Sequence, residues 1–404
     1  MQAIVVAKPY RFVPPHRGNL WPALLRPVVP WLLRREGIAE VQCRGVGKLA
    51  ASVAAGHGIM LAPNHCRPGD PFVIAALGHA VGRHVHIMAS WHLFMQGGVQ
   101  RFLLPRAGVF SVYREGLDRE ALKCAVQIMA EARRPLVIFP EGVVSRHNDR
   151  LNPLMEGTAM IARSAARQRA AGVPPGRVVI HPVGIRYHFD GDLAGTIEPM
   201  LADIETRLSW QPNRGMALIE RLAKIGGALL ALKEIEHLGV AGSGDLASRA
   251  RRLIDHLLNP IEDEWLKGRH EGDVVARVKL LRTALLPDLV AGQLAEPDRE
   301  LRWKLLAKLY LAQQLAFYPE GYLDKDPTPE RILETVERFE EDTTDRVRAV
   351  SALRAVVTVG DAIEVSQERS RGGEDPLMKS LREQLEALLA LRAAGDEPGR
   401  GAAA

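Results

Sequence analysis

A histidine and an aspartate five residues apart are the side chains in this sequence best suited to acid–base chemistry. His65 and Asp70 lie in the segment Asn-His-Cys-Arg-Pro-Gly-Asp at 64–70, directly after the apolar run 59–62. A carboxylate beside an imidazole fixes its tautomer and stabilises the imidazolium, so the pair could act as a general base. The intervening Pro-Gly breaks the helix and allows a turn that brings the two side chains together. Alternatively, Asp70 only caps the helix that follows, and His65 is only a loop residue.

Two further groups of polar residues follow strand-like runs. The apolar run 135–139 predicts a buried strand, and the segment Phe139-Pro-Glu141-Gly142 places a carboxylate and a flexible glycine at its carboxyl end. Open α/β sheets bind ligands at that edge. Between this block and the histidine, Arg114 follows the run 109–113 and offers a guanidinium to an anionic substrate group.

In order and spacing, these blocks and the run Val179–Ile185 resemble the glycerolipid acyltransferase family, whose best-known members make phosphatidate from 1-acyl-glycerol-3-phosphate in phospholipid biosynthesis. The resemblance covers roughly 50–198 and, more weakly, 355–392. It implies that His65 deprotonates a substrate hydroxyl, with Asp70 as its orienting partner. It also implies that Arg114 and the block Phe139–Gly142 bind the polar acceptor, and that Pro182 shapes the acyl-donor side.

The sequence departs from the family pattern at two places. The family usually has Ser three residues before the aspartate, where this chain has Arg67. After Phe-Pro-Glu-Gly the family often continues Thr-Arg-Ser, where this chain has Val143-Val144-Ser145. Arg67 or Arg146 could replace the missing arginine, or the acceptor could lack a phosphate; the sequence leaves both possibilities open.

The charge of the chain is unevenly distributed. Residues 1–200 carry 24 Lys and Arg against 13 Asp and Glu, whereas the remainder carries 29 against 35. A basic half suggests an anionic partner, such as lipid headgroups, the phosphates of coenzyme A or an acidic acyl carrier protein. Zinc-finger spacing and ribonucleoprotein motifs are missing, so we do not expect nucleic acid as a partner.

The pattern along the 404 residues predicts an α/β fold: a mixed sheet covered by helices, with a large all-helical insertion. Strand and helix signals alternate through 37–200, but strand signals nearly vanish in 201–345. The β-branched run 355–359 needs a sheet, since an isolated strand is unstable. We therefore predict that 37–200 and 346–395 form one discontinuous acyltransferase domain, that 201–345 is a helical insertion, and that 396–404 is a disordered tail.

The N-terminal segment 1–36 looks suited to a membrane surface. It combines Trp21, Trp31 and several leucines with Arg26, Arg34 and Arg35, a mixture typical of headgroup depth. The alternative is a helix packed on the protein's own surface. No transmembrane helix or signal peptide is expected, and three cysteines make no disulfide framework. These features predict a cytoplasmic protein attached peripherally to anionic lipid.

Together these features predict an O-acyltransferase that moves a fatty acyl group from acyl-CoA or acyl carrier protein to a hydroxyl of a glycerolipid, with no cofactor, metal or acyl-enzyme. Two alternatives remain at this point: a lipid-binding scaffold on a degenerate acyltransferase fold, and a thioester or lipid hydrolase. Zinc binding by His84 and His86, and a nucleophilic role for Cys66, are weaker interpretations.

Overall fold

The computed structural model describes residues 8–173, 175–292, 294–324, 326–346, 348–350, 352–368 and 375–391, which form two compact units. The α/β unit comprises 12–112, 119–191 and the described residues from 349 onward. The helical unit comprises 192–348 together with 113–118 and the described residues before 12.

These units differ in their boundaries from the domains expected from the sequence. The helical unit begins at residue 192 rather than 201, because the helix Leu193–Arg207 already belongs to it. Of the segment 1–36, the described residues 8–36 divide between the two units after residue 11, so they are not one element. The tail 396–404 lies outside the described residues.

Eight strands of the described α/β unit form one sheet. They are β1 Ile38–Arg44, β2 Gly58–Pro63, β3 His86–Ser90, β4 Val109–Val112, β5 Leu136–Val137, β6 Val178–Phe189, β7 Leu353–Val359 and β8 Ile363–Glu364. The order across the sheet is β1-β7-β6-β2-β5-β3-β4, and β8 pairs with the start of β6. Strands β6, β2, β5, β3 and β4 are parallel, whereas β7 is antiparallel to β6 and parallel to β1. The sheet is therefore mixed, as predicted.

The helices are numbered along the chain, and α1–α7 and α14 belong to the α/β unit. They are α1 Leu20–Leu25, α2 Val29–Arg35, α3 Val46–Ala54, α4 Asp70–Ala80, α5 Gly98–Arg106, α6 Arg119–Glu131, α7 Gly157–Ala170, α8 Leu193–Arg207, α9 Leu218–Leu238, α10 Leu246–Trp265, α11 Val274–Ala291, α12 Glu296–Ala316, α13 Pro329–Thr344 and α14 Pro376–Ala390. Helix α6 shows why the sequence folds this way. Its buried residues Ala121, Ala125 and Ile128 recur at helical spacing on one face. That face packs with Ile180 of β6 in the main core of the unit.

Strand β7 joins the two halves of the α/β unit, as predicted for the run 355–359. It lies between β1 and β6, where Val357 pairs with Cys43 on one side and Ile185 on the other. The helix after it is held by a buried ion pair, in which the Arg163 guanidinium donates to both oxygens of Asp375 at 2.5 and 2.6 Å. Residues after the helical unit therefore complete the sheet that begins before it.

The helical unit contains a repeated ion pair that the sequence analysis did not anticipate. In each case an arginine four residues after an N-cap residue pairs at 2.7 Å with a buried glutamate near the end of the preceding helix. The pairs are Arg221–Glu205, Arg249–Glu234 and Arg277–Glu262. Hydrogen bonds from the arginines lower the pKa of Glu205 and of Glu234. Buried pairs of this kind specify which helices meet, and removing one partner leaves an uncompensated charge.

Candidate active site

The turn between β2 and α4 brings His65 and Asp70 together. Helix α4 begins at Asp70 itself, so the Pro-Gly turn lies between the two residues and reverses the chain. Nδ1 of His65 lies 2.8 Å from Oδ2 of Asp70. The carboxylate only accepts hydrogen bonds, so Nδ1 carries the proton and Nε2 carries the lone pair. Among the described residues Nε2 makes no hydrogen bond, and 16% of the His65 side chain is exposed.

The alternative role of Asp70 as a helix cap is wrong. Gly69 is the N-cap residue, and α4 has no side-chain cap. The carboxylate points instead at the turn before the helix, where Oδ2 also accepts from the backbone N–H groups of Cys66 at 2.8 Å and Arg67 at 3.0 Å. Asp70 is completely buried, so these hydrogen bonds replace the water that a carboxylate would otherwise bind.

Glu141 connects two loops beside this pair. Its Oε1 accepts from the backbone N–H of His65 at 2.7 Å, and its Oε2 accepts from that of Asn152 at 3.0 Å. Only 1% of the residue is exposed. Burial raises the pKa of Glu141 to about 7, and the charge of Asp70 adds to this effect against the hydrogen bonds from His65 and Asn152. The hydrogen bond from the His65 N–H to Glu141 holds the histidine backbone in place.

Phe139 and Gly142 flank Glu141, with different geometric consequences. The Phe139 ring stacks on the His65 imidazole, with a centroid distance of 4.0 Å and an interplanar angle of 26°. Gly142 has φ +70°, and a Cβ at this position would lie 2.3 Å from the sulfur of Met155. The turn therefore requires glycine for both conformation and space. Together these residues determine the ring plane of the histidine and the path of the loop.

Pro182 and Arg146 lie on segments that pair with, or hydrogen-bond to, the segment around His65. Pro182 is a buried residue of β6, paired with Ala62 in β2, and its carbonyl accepts from the N–H of Gly360 at 2.8 Å. Arg146 is half-buried with φ 61°, next to Ser145, whose N–H donates to the His65 carbonyl at 2.7 Å.

Arg114 belongs to the helical unit, not to the α/β unit that contains the other candidates. Burial is the main cause that lowers the pKa of Arg114, with Arg282 adding to it and Glu115 opposing it. In the same unit, Arg282 makes an ion pair of 2.6 Å with Glu115. Arg114 therefore has charged neighbours of both signs, Arg282 and Glu115.

Three residues of the site were missed at the level of sequence. The hydroxyl of Tyr187 on β6 donates to Oδ1 of Asp70 at 2.6 Å. Asn64 and Asn148 bond through their side-chain amides to both backbone groups of Ile185 and Tyr187, respectively, at 2.6–3.0 Å. They continue the hydrogen bonding of β6 beyond the end of β2. Asn64 precedes the histidine and could have been suspected, whereas nothing local in the sequence distinguishes Tyr187 or Asn148.

The weaker interpretations of Cys66 and the histidines are not supported by geometry. Cys66 is 1% exposed, and its sulfur lies 3.9 Å from both Asp70 and the Ile185 carbonyl. Nδ1 of His86 bonds to the Gly108 carbonyl at 2.9 Å, and burial lowers the pKa of His86 to about 3. Within the part of the chain that the structure describes, no group of His, Cys, Asp or Glu is arranged to hold a metal ion.

The buried Glu141 carboxyl predicts a pH dependence of stability. With an ordinary pKa of 4.5 in the unfolded chain and about 7 in the folded protein, it stabilises the fold fully below about pH 4.5 and loses this contribution as the pH rises through 7. Glu141→Gln does not titrate. We expect the free energy of unfolding of the wild type, relative to that of Glu141→Gln, to fall by about 2–3 kcal/mol from pH 5 to pH 8 in denaturant titrations. A difference that is independent of pH would contradict the buried, proton-holding carboxyl.

A comparison with known families finds a match for this part of the chain. Residues 41–186 match the family model described as Acyltransferase. The match runs from β1 to β6 and contains all of the predicted site residues, including His65 and Asp70. No curated protein matches this chain. Residues 41–186 therefore form an acyltransferase domain of the glycerolipid acyltransferase family.

Proposed function

We propose that the protein transfers a fatty acyl group from an acyl thioester to a hydroxyl of a glycerolipid such as lysophosphatidate, with His65 as general base. The observation that carries this proposal is the His65–Asp70 pair. Its Nδ1 is held at 2.8 Å by a buried carboxylate, whereas Nε2 is left with a lone pair on a partly exposed ring. A general base needs this arrangement, because the carboxylate stabilises the imidazolium that forms when Nε2 takes a proton.

The chemistry is a direct transfer between two substrates. Nε2 of His65 takes the hydroxyl proton of the acceptor as the oxygen attacks the thioester carbonyl, which forms a tetrahedral intermediate. This intermediate collapses with cleavage of the carbon–sulfur bond, and the leaving thiolate takes the proton back from Nε2–H. The product ester and the free thiol leave the histidine in its starting state, so the cycle needs no acyl-enzyme.

The neighbouring residues have distinct parts in this proposal. The stacked Phe139 ring keeps the imidazole plane fixed, and Glu141 fixes the histidine backbone. Because Glu141 is buried, it acts on the acceptor through the loop that ends in Gly142 rather than by contact. In the α/β unit, Arg146 supplies positive charge for an anionic acceptor, and Pro182 shapes the acyl-donor side. The donor is acyl-CoA or acyl carrier protein.

The α/β unit also presents a surface that fits an anionic membrane. Trp31 is 58% exposed on α2, Val99 is 71% exposed on α5, and Phe102 is also exposed. The half-buried Trp21 ring of α1 packs edge-on against Phe102 of α5, with 5.9 Å between the ring centroids, so α1 and α5 lie side by side. Residues 1–35 and 71–114 contain no Asp or Glu, although exposed arginines are present in both. Apolar side chains amid arginines are suited to headgroup depth.

Peripheral attachment through this face is therefore part of the proposal. Among the described residues, no helix is both long and apolar enough to cross a bilayer. The surface formed by α1, α2 and α5 would bring the α/β unit to its lipid substrate while its aromatic side chains enter the headgroup region.

Release of free thiol from acyl-CoA tests the proposed reaction. We expect release that depends on an acceptor, tried as 1-acyl-glycerol-3-phosphate, glycerol 3-phosphate and monoacylglycerol. His65→Ala should lower the rate by about 10²–10⁴-fold, and Asp70→Asn should also lower it, since the base or its charged partner is lost. His270→Ala is a matched control, because His270 and Asp263 form an exposed 2.8 Å pair in the helical unit.

The outcomes separate the alternatives. Release without any acceptor would indicate a hydrolase, and no release with any donor and acceptor would indicate the scaffold. Near-normal rates in folded His65→Ala protein would show that His65 is not the base.

Co-sedimentation with vesicles tests the membrane face. The protein should bind vesicles of phosphatidylcholine and phosphatidylglycerol more than phosphatidylcholine alone, with binding weakened by salt. Replacing Trp31 and Phe102 together by Ala should weaken binding at least about tenfold, because each aromatic ring contributes roughly 1.5–3 kcal/mol when fully buried. Trp303→Ala removes a tryptophan that is 38% exposed in the helical unit and should bind like the wild type. Equal binding by the double variant and the wild type would assign these side chains to the fold alone.

A further inference from the structure

Both oxygens of the Asp70 carboxylate accept hydrogen bonds, and the donors come from segments that are far apart in the sequence. Oδ2 accepts from the His65 ring and from two backbone N–H groups of the same turn, at 2.8–3.0 Å. Oδ1 accepts from the hydroxyl of Tyr187, which is 117 residues away along the chain, at 2.6 Å. The local turn therefore supplies all the donors to Oδ2, whereas Oδ1 bonds to the hydroxyl from β6 and lies 3.9 Å from the Cys66 sulfur.

Tyr187 is itself rigidly positioned. It is completely buried, and on one edge its backbone N–H and carbonyl bond to the side chain of Asn148 at 2.6 and 2.7 Å. On the other edge of β6 it pairs with Ala355 of β7. The guanidinium of Arg67 lies 5.5 Å from the centre of its ring. A buried residue whose backbone is bonded on both edges of its strand can impose its geometry on the group that its side chain contacts.

The hydroxyl acts as a donor at physiological pH. Burial is the main cause that raises the pKa of Tyr187 well above 10, and the negative charge of Asp70 adds to it. The tyrosine therefore keeps its hydroxyl proton, which it donates to Oδ1 of Asp70. A hydrogen bond from a neutral donor to a buried carboxylate is worth more than one between two neutral groups.

We propose that Tyr187 is a positioning residue for the His65–Asp70 pair: its hydroxyl fixes the rotation of the Asp70 carboxylate and thereby the direction of Nε2. This inference rests on the proposed function and extends it to a residue that touches neither substrate. It also gives a role to Arg67, the residue found where the family usually has Ser, since its guanidinium covers the ring of Tyr187.

Tyr187→Phe tests the proposal, because it removes the hydroxyl and keeps the ring with its packing. We expect kcat to fall about tenfold, the size of one hydrogen bond to a charged group, with KM for donor and acceptor unchanged. In the Asp70→Asn background, the same substitution should change kcat less than twofold, because the carboxylate through which it acts is gone. Tyr318→Phe is the matched control, since Tyr318 donates at 2.6 Å to Asp342 in the helical unit, and it should leave kcat unchanged.

The following results would overturn the inference. An unchanged kcat, a change confined to KM, or losses that multiply with those of Asp70→Asn would show that the hydroxyl does not act through Asp70. A Tyr187→Phe protein that fails to unfold cooperatively would assign the hydroxyl to the stability of the fold. If the wild type transfers no acyl group, the proposed function fails first. Active wild type with a normal Tyr187→Phe variant defeats only the present inference.

Discussion

The candidate site depends on one buried negative charge. Asp70 is completely excluded from solvent, and its carboxylate accepts a hydrogen bond from the ring of His65 at 2.8 Å. Burying a carboxylate without partners would cost more free energy than a folded protein typically gains from folding. Both oxygens therefore need hydrogen-bond donors. The donors are the His65 ring, two backbone N–H groups and the Tyr187 hydroxyl, with the Cys66 thiol at 3.9 Å. The imidazole is oriented as a consequence of this solvation requirement.

The order of strands explains how distant residues reach that charge. Strand β2, which leads to His65, lies between β5, which leads to Phe139 and Glu141, and β6, which carries Tyr187. These three strands are parallel, so their carboxyl ends meet at one edge, where open α/β sheets bind ligands. β7 pairs with the other side of β6, so residues that follow the helical unit support the strand that holds Tyr187.

Local patterns predicted much of this arrangement. The Pro-Gly turn was enough to bring His65 to Asp70, and the run at 355–359 was correctly expected to join the sheet, since a short β-branched run has no stability alone. The mixed sheet and the amphipathic α6 also follow from local periodicity. The role of Asp70 as a cap was wrong, because a carboxylate at the start of a helix has both the helix and the preceding turn within reach. In this structure Asp70 bonds to the His65 ring and to the preceding turn, and not to the N–H groups of the helix.

Contacts between residues far apart in the chain could not be predicted in the same way. Tyr187 looks like any aromatic residue of a buried strand, and its hydroxyl acquires a partner only when β6 lies beside β2. The repeated Arg–Glu pairs of the helical unit were missed for the same reason, because each joins residues on two successive helices. A boundary such as 192 rather than 201 depends on where α8 packs, which no local pattern records.

The most direct test of the central claim is the tautomer of His65. In ¹⁵N NMR spectra of protein labelled at histidine, the His65 signals can be assigned by their loss in His65→Ala and recorded at a pH at which they show the neutral ring. The account predicts a proton on Nδ1, donated to Asp70, and a bare Nε2 able to accept the hydroxyl proton. A proton on Nε2 with a bare Nδ1 would contradict it, because the ring could then neither donate to Asp70 nor act as the base.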